Sequence, residues 1–523
     1  MLQSINSKDR IKIQRLLPVS IRIIPSVFVL TVLLFLTACA VGPDYVRPTV
    51  PVPESYKENA GWKVAEPSDY IDRGRWWEIY NDPQLNALEE QVDISNQNIA
   101  AAEAVLHQAL AQVRMDQSFF FPTITTNPSA TRSLRSSSLT SGSTPSGTST
   151  IYSAPLTLSS WELDVWGRIR RTVEGDRANA QASDADLKGA RLSAQTSLAQ
   201  NYFTLRTLDR MKQLLDTTVA AYEKALQLTK NQYESGIVSR GDVLQAETQL
   251  KSIRAQAIDL GVQRAQTEHA IAVLVGKPAS EFSIPVSPLD TVPPLVPTGV
   301  PSELLERRPD IAGMERRMAA ANAQIGVAKA AYFPAVTLNG AMGYQSNGMS
   351  NWLTWPNRYW ALGTMVSQAL FDGGFRFAQS DKARAAYDQS IAAYRQMVLT
   401  AFQEVEDNLA SLRMLEEMAS VQDDAVKTAR KSVEIALNQY KGGTANYLAV
   451  VVLQSAALSA ERTAATIMNN RMTASVLLIK ALGGGWNVEP FLGVDNGSAK
   501  RVQQEPEPVE APPTEKTTSS NDG

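Results

Sequence analysis

The sequence predicts a mainly α-helical protein with a membrane β part, built from two copies of one architecture: helix, strand pair, long helix, hairpin tip, returning helix. Three observations predict it. Residues recur at a long fixed offset, apolar residues recur every 3.5 positions along proline-free runs, and two other stretches alternate with period two.

The offset is plainest where Asn231, Gln232, Tyr233 and Gly236 return 207 positions later as Asn438, Gln439, Tyr440 and Gly443. Leu163, Gly167, Ala178 and Gly276 return likewise as Leu370, Gly374, Ala385 and Gly483. Upstream the offset is 212, pairing Ile99, Glu103, Gln112, Phe121 and Pro122 with Ile311, Glu315, Gln324, Phe333 and Pro334. The first copy thus carries five extra residues, all between Pro122 and Leu163, and an insertion so confined marks a loop. The copies are predicted at 76–300 and 301–486.

The chain's 523 residues carry a formal charge of -3, and Met1 to Ala38 contributes a net +4, so its removal leaves about -7. So mild an acidity gives no basis for a nucleic-acid partner. Residues 1–38 read as an export signal, a basic start followed by an apolar run from Val27 to Leu36, too short for a membrane helix of about 20 residues. Leu36-Thr37-Ala38-Cys39 follows, and Cys39 is the only cysteine, so no intramolecular disulfide is possible. Its setting resembles a bacterial lipobox, which implies diacylation and cleavage before Cys39, a covalent lipid and no other cofactor. An aspartate after the cysteine would favour inner-membrane retention; Ala40 stands there, so the outer membrane is expected. Residues 39–75 read as an extended, proline-rich lipidated segment, and 487–523 as a disordered tail of Pro, Glu, Ser and Thr.

In the body, a helix is expected from Gln84 to Ser118, then a β-hairpin over 122–160. Tyr152, Ala154, Leu156 and Leu158 alternate with Ser153, Thr157 and Ser159; Thr123 to Thr131 alternates poorly. The second hairpin, 333–370, sets Val336, Leu338 and Met342 against Thr337 and Asn339, and returns with Trp360, Leu362, Val366 and Leu370 on one face. Such alternation, with Trp352 and Trp355 near the strand ends, suits membrane strands. Four strands cannot close a barrel, since outer-membrane barrels start at about 8; three chains would supply about twelve.

From Trp161 to Glu234 no proline or strong breaker interrupts a stripe that includes Leu198, Tyr202, Leu205, Leu215, Tyr222 and Thr229. Shifted by 207 it reads Val405, Leu409, Leu412, Gln422, Val426 and Tyr440, with Met418 between them as a core residue. A 3.5 period demands a left-handed coiled coil, and 74 residues of helix would reach about 110 Å, so the helix must project. Tips are expected at 234–241 and 441–447, and the returning helix, Ser239 to Gly276, would stack on Gln84 to Ser118 beside the long one.

CAVGPDYVRP at 39–48, LLERRPDI at 304–311, AYFP at 331–334, LFDGG at 370–374 and the two tip motifs together resemble the TolC/OprM family of outer-membrane efflux proteins. More narrowly they resemble its NodT-type lipoprotein branch, over roughly Cys39 to Trp486. The resemblance implies a homotrimer with a twelve-stranded β-barrel in outer-membrane lipid and a long periplasmic α-barrel. It would be a passive exit duct for small molecules, partnered by a periplasmic adaptor and an inner-membrane pump of the resistance-nodulation-division (RND) type. By position, Asp242 and Tyr440 match a pair that latches the closed hairpins. Ser235, Gly236, Ile237, Val238, Ser239, Gly442, Gly443, Thr444, Ala445 and Asn446 match the tips that meet the adaptor. Relatives place a pore aspartate where this chain has Val452, with Leu448 one turn earlier, so an apolar constriction that gates by dewetting is expected.

No enzyme is expected: His107 and His269 are the only histidines, both on helices, and no catalytic order, zinc spacing or phosphate loop appears. Gly483-Gly484-Gly485 follows a helix and suits a C-cap. The rival readings are a non-conducting periplasm-spanning tether, which leaves the paired hairpins unexplained, and an exit duct for type I secretion.

Overall fold

A computed structural model describes residues 40–49, 53, 55–58, 75–134, 148–289, 291–294 and 307–484. The predicted signal, Cys39 and the predicted tail lie outside the described residues, as do residues 59–74. A 3-10 turn, Trp76–Tyr80, leads to helices α1, Pro83–Ser95, and α2, Gln97–Gln117. Strand β1, Ile124–Thr126, and β2, Ser129–Leu134, precede β3, Thr148–Glu162. Helix α3, Arg168–Glu234, and α4, Arg240–Leu274, complete the first copy. The second runs α5, Pro309–Ala330; β4, Ala335–Ser346; β5, Arg358–Ser367; α6, Phe375–Lys441; and α7, Tyr447–Ala481. The duplication shows in the lengths, since α3 and α6 both have 67 residues and α4 and α7 both have 35.

Three sequence expectations shift. The expected helix over Gln84–Ser118 is two helices, because Asn96 is extended (φ -69, ψ 121) and its Oδ1 accepts from the backbone of Asn98 and Ile99 to start α2. Its Nδ2 meanwhile donates to the Leu274 carbonyl, tying the break to α4. The long helix begins at Arg168, seven residues later than expected, because β3 continues to Glu162 and Gly167, at φ 80, turns the chain. The poorly alternating first strand is split between β1 and β2 at Asn127 and Pro128, proline having no N–H for the ladder.

The helices form a wall. Near the strands its neighbours run α2, α3, α5, α6; toward the tips they run α4, α3, α7, α6, with α3 and α6 continuous through both levels. The stripe drives this packing: Leu198, Tyr202, Leu205, Leu215, Val405 and Leu409 are all buried. Two residues on the stripe are exposed. Tyr233 is 45% exposed in the last turn of α3, and Met418, expected in the core, is 50% exposed because α4, α6 and α7 separate around it. Between the levels the largest core gathers Trp76, Trp77, Tyr80, Leu85, Tyr202, Phe203, Ile271, Leu409 and Met472. Tyr202 donates to Asp82, whose other oxygen caps α1. Buried Asp209 accepts from Arg206 and Arg264, and both arginines hold carbonyls of the 284–287 segment against the outside of α3.

The sheet is antiparallel in the order β1, β3, β4, β5, with β2 also on β3, so β1/β2 and β5 are its open edges. Its register places Leu156, Met342 and Trp360 in one row and Leu158, Gly340 and Leu362 in the next. Leu156, Met342, Trp360 and Leu362 are exposed on this face; Thr157, Ala341 and Ala361 form a row on the other. On β4 the apolar face runs from Val336 to Tyr344, about 27 Å at ~3.4 Å per residue, comparable with the about 25 Å apolar band of membrane barrels. A β-bulge between Leu158 and Trp161 bends β3 at its base, where Ser160 (φ 36) donates its N–H and hydroxyl to Asn339 Oδ1.

Candidate functional site

The two hairpin tips share one backbone. At the end of α3 the Gly236 N–H reaches the Tyr233 carbonyl and the Ile237 N–H the Gln232 carbonyl; at the end of α6 Gly443 reaches Tyr440 and Thr444 reaches Gln439. This is a Schellman motif made twice, and it needs the left-handed glycines Gly236 (φ 75) and Gly443 (φ 72). Ser235, Gly236, Ile237 and Ser239 are exposed at the first tip, and Gly442, Gly443, Thr444 and Asn446 at the second, with Val238 and Ala445 half-buried.

The next helices start differently. Ser239 and Asp242 make a capping box: Asp242 Oδ2 accepts from the Ser239 N–H at 3.0 Å and its hydroxyl at 2.7 Å. Asn446 caps α7 alone, accepting from the Ala449 N–H at 3.1 Å. Asp242 is therefore engaged within its own hairpin, and the structure does not join it to Tyr440. The Tyr440 hydroxyl, on a residue only 3% exposed, instead lies 3.1 Å from the Thr229 hydroxyl, which is fully buried. That bond does link the two hairpins, from α6 to α3. Thr229 also donates to the Ala225 carbonyl, so Tyr440 is the natural donor to it. Around it, Tyr440 packs on Tyr447 at 5.4 Å, with Ala225, Ala246, Val450 and Val451. Thr229 is visible in the sequence as a hydroxyl on an apolar stripe; its partner is not.

Leu448 and Val452 are about half exposed on α7, one turn apart. Ser455, Ser459 and Thr466 continue that face away from the tip. His107 and His269 sit on exposed helix surface, and His107 lies 3.8 Å from Glu103.

At the other end of the wall the strands give way to helices in an aromatic belt. Trp166 stacks on Phe333 at 4.8 Å and donates its indole N–H to the Pro334 carbonyl at 2.7 Å. Phe119, Phe121, Phe371, Phe375 and Phe377 are exposed at the same junction. At the far strand ends, Trp352 packs near Tyr152 and the Arg358 guanidinium lies 3.7 Å over the Trp355 ring. Two aromatic girdles bounding an apolar sheet face are the signature of a segment held at both surfaces of a bilayer. Among the described residues no helix is long and apolar enough to cross a membrane.

Some acids here have no warning in the sequence. Glu89 of α1 is fully buried with neither carboxylate oxygen hydrogen-bonded, and burial, then nearby Asp93, pushes its carboxyl well above the ordinary range. Between α2 and α3, Asp116 and Asp176 share a hydrogen bond; burial and Asp116 raise Asp176 to about 7, while the same bond lowers Asp116. Gln112 donates to Asp116 at 2.8 Å, which adds to the preference for the charge on Asp116.

A wall of long coiled helices, tipped at one end and continued at the other by an open-edged membrane-type sheet, defines an outer-membrane channel protein of the helical type. The chain belongs to the family described as outer membrane efflux protein, which it matches over residues 88–277 and 300–484. It is 30% identical over 467 residues to the toluene efflux pump outer membrane protein TtgF of Pseudomonas putida, covering 86% of this chain and 95% of that one. To the antibiotic efflux pump outer membrane protein ArpC of Pseudomonas putida it is 29% identical over 461 residues, covering 86% and 93%. Among solved structures it resembles the outer-membrane channel OprN, with a TM-score of 0.79 and 31% identity over 86% of this chain and all of that one.

Proposed function

We propose that the chain is the passive exit duct of a tripartite efflux pump. Three copies close a twelve-stranded barrel in the outer membrane above a periplasmic α-barrel. A periplasmic adaptor docks at the tips 235–239 and 442–446, and an RND-type inner-membrane pump supplies the energy. The observation that carries this reading is the sheet: it has two open edges, an exposed apolar face of bilayer height, and too few strands to close alone. A lone tether would have no use for it. Relatives at near-equal identity are named for toluene and for antibiotics, a pattern that favours choice of cargo by the pump.

The anchor belongs to the same reading. The Val41 N–H bonds to the Trp166 carbonyl at 3.0 Å, and Ala40 lies against Gly167 at the foot of the sheet. Ala40 thus sits at the level where strands become helices, and the expected acylation site, Cys39, precedes it in the sequence. From there the segment runs along the wall: Tyr45 donates to Glu315 at 2.9 Å, Arg47 to Tyr394 at 3.1 Å, and the Lys57 and Glu58 N–H groups to Glu406.

Native mass spectrometry and single-channel recording on one detergent-purified preparation test the duct. A conducting trimer is expected; a monomer, or a trimer silent even after the tips are mutated, would favour the tether. Cys39→Ala should abolish the fatty-acyl mass shift, and an unchanged shift removes the lipid anchor.

A further inference from the structure

The tip half of the wall has two faces, and side-chain positions tell them apart. On α6, Glu406 and Arg413 face the N-terminal segment, Arg413 pairing with Glu58 at 2.5 Å. Leu415 and Met418 follow Glu406 by nine and twelve residues, about half a turn away on a period of ~3.5. They line a hollow of about 480 Å³ between α4, α6 and α7. The elements that cross the wall, the N-terminal segment and the 284–289 segment, therefore lie on one face and the hollow on the other. A duct needs its lumen clear of such elements, so the hollow belongs to the lumenal face.

On α7 this face repeats every seven residues: Leu448, Ser455, Arg462, with Val452, Ser459 and Thr466 beside them. Of the thirteen residues lining the hollow, Arg462 alone is ionisable. Its Nη1 donates to Gln256 of α4 at 3.0 Å, and among the described residues it makes no ion pair. Its neighbours in kind do: Arg254 pairs with Glu223, Arg471 with Glu416, and Arg430 with Glu461, the acid next to Arg462 in sequence but turned to the other face. Nothing in this lining offsets the guanidinium, which stays charged at any working pH.

We infer that Arg462 makes the duct favour anionic over cationic permeants, so that small carboxylate- or phosphate-bearing molecules pass most readily. This rests on the duct reading above. In a three-chain assembly, three guanidiniums would face one level of the lumen, about 21 Å of helix beyond Leu448 at ~1.5 Å per residue. A ring of arginines in a narrow aqueous passage raises the local anion concentration and excludes cations, within a Debye length of about 10 Å at 0.1 M salt.

The test is the reversal potential of the full-length protein in planar bilayers under a KCl gradient, for wild type, R462K, R462Q and R462E. Wild type and R462K should reverse on the chloride side, R462Q should shift toward zero, and R462E should move to the potassium side. The wild-type preference should also fade as salt is raised. A potassium-preferring wild type, or an R462Q reversal potential equal to the wild-type value, overturns the role of Arg462 while leaving the duct intact. Absence of current from every variant, even with the tips mutated as well, overturns the duct reading itself.

Discussion

The two halves of this chain share a backbone and differ in where they hold their acids. The first buries Glu89 in α1 and sets buried Asp116 against half-buried Asp176 between α2 and α3. At the positions equivalent to that pair the second has Ala328 and Ala383. The tips diverge in the same way: the first starts its returning helix with a charged capping box, the second with Asn446 followed by Tyr447, Leu448 and Val452. Equal helix lengths at unequal chemistry mean that the duplication preserved spacing and left side chains free to specialise. The first half holds the acids raised by burial, and the second supplies Tyr440 to the seam and the exposed Leu448 and Val452 of α7.

The largest effect should come from Glu89→Gln. A buried carboxyl with a raised folded value leaves stability intact below its ordinary value of 4.5 and loses it as pH rises above that. Removing the charge should therefore raise Tm by several degrees at about pH 8 and hardly change it at about pH 4. A thermal scan in which the variant melts below the parent at both pH values would show that Glu89 is ionised and partnered.

Asp176→Asn is the next test. Stability held below 3.8 is lost as pH rises through about 7, and a carboxamide at this position cannot ionise, so the slope of Tm against pH between those values should flatten. Ala328→Asp combined with Ala383→Asp should create a comparable slope in the second half. An unaltered slope in Asp176→Asn would separate the pair from the pH response.

The smallest effects lie at the tips, about 1 kcal/mol each. Tyr440→Phe and Thr229→Val should raise leak currents to a similar degree, and the double variant should add little, since both break one bond between hairpins. Asp242→Ala should weaken only the first cap and leave the leak unchanged. Equal leak from Asp242→Ala and Tyr440→Phe would support the direct latch expected from position.

Much of the fold was legible because it is periodic. The 207-residue offset, the 3.5 stripe and the strand alternation each repeat often enough to outweigh single exceptions. What escaped depends on one residue or on rotation. The break at Asn96 hangs on a single cap, the late start of α3 on Gly167, and the split strand on Pro128. Which hydroxyl Tyr440 meets depends on how α6 is turned against α3, and a stripe fixes only which face is buried, not which pair touches.

The tip glycines carry one more consequence. A methyl group added to Gly236 or Gly443 would strike nothing within 4 Å, yet both residues sit at positive φ. What excludes other residues is torsion, not room, so a D-alanine would be welcome where an L-alanine is strained. Chain reversal is thus insulated from whatever surrounds it. Ser-Gly-Ile-Val-Ser and Gly-Gly-Thr-Ala-Asn make the same corner, and a lineage could rewrite either tip for a new docking partner without having to reinvent the turn.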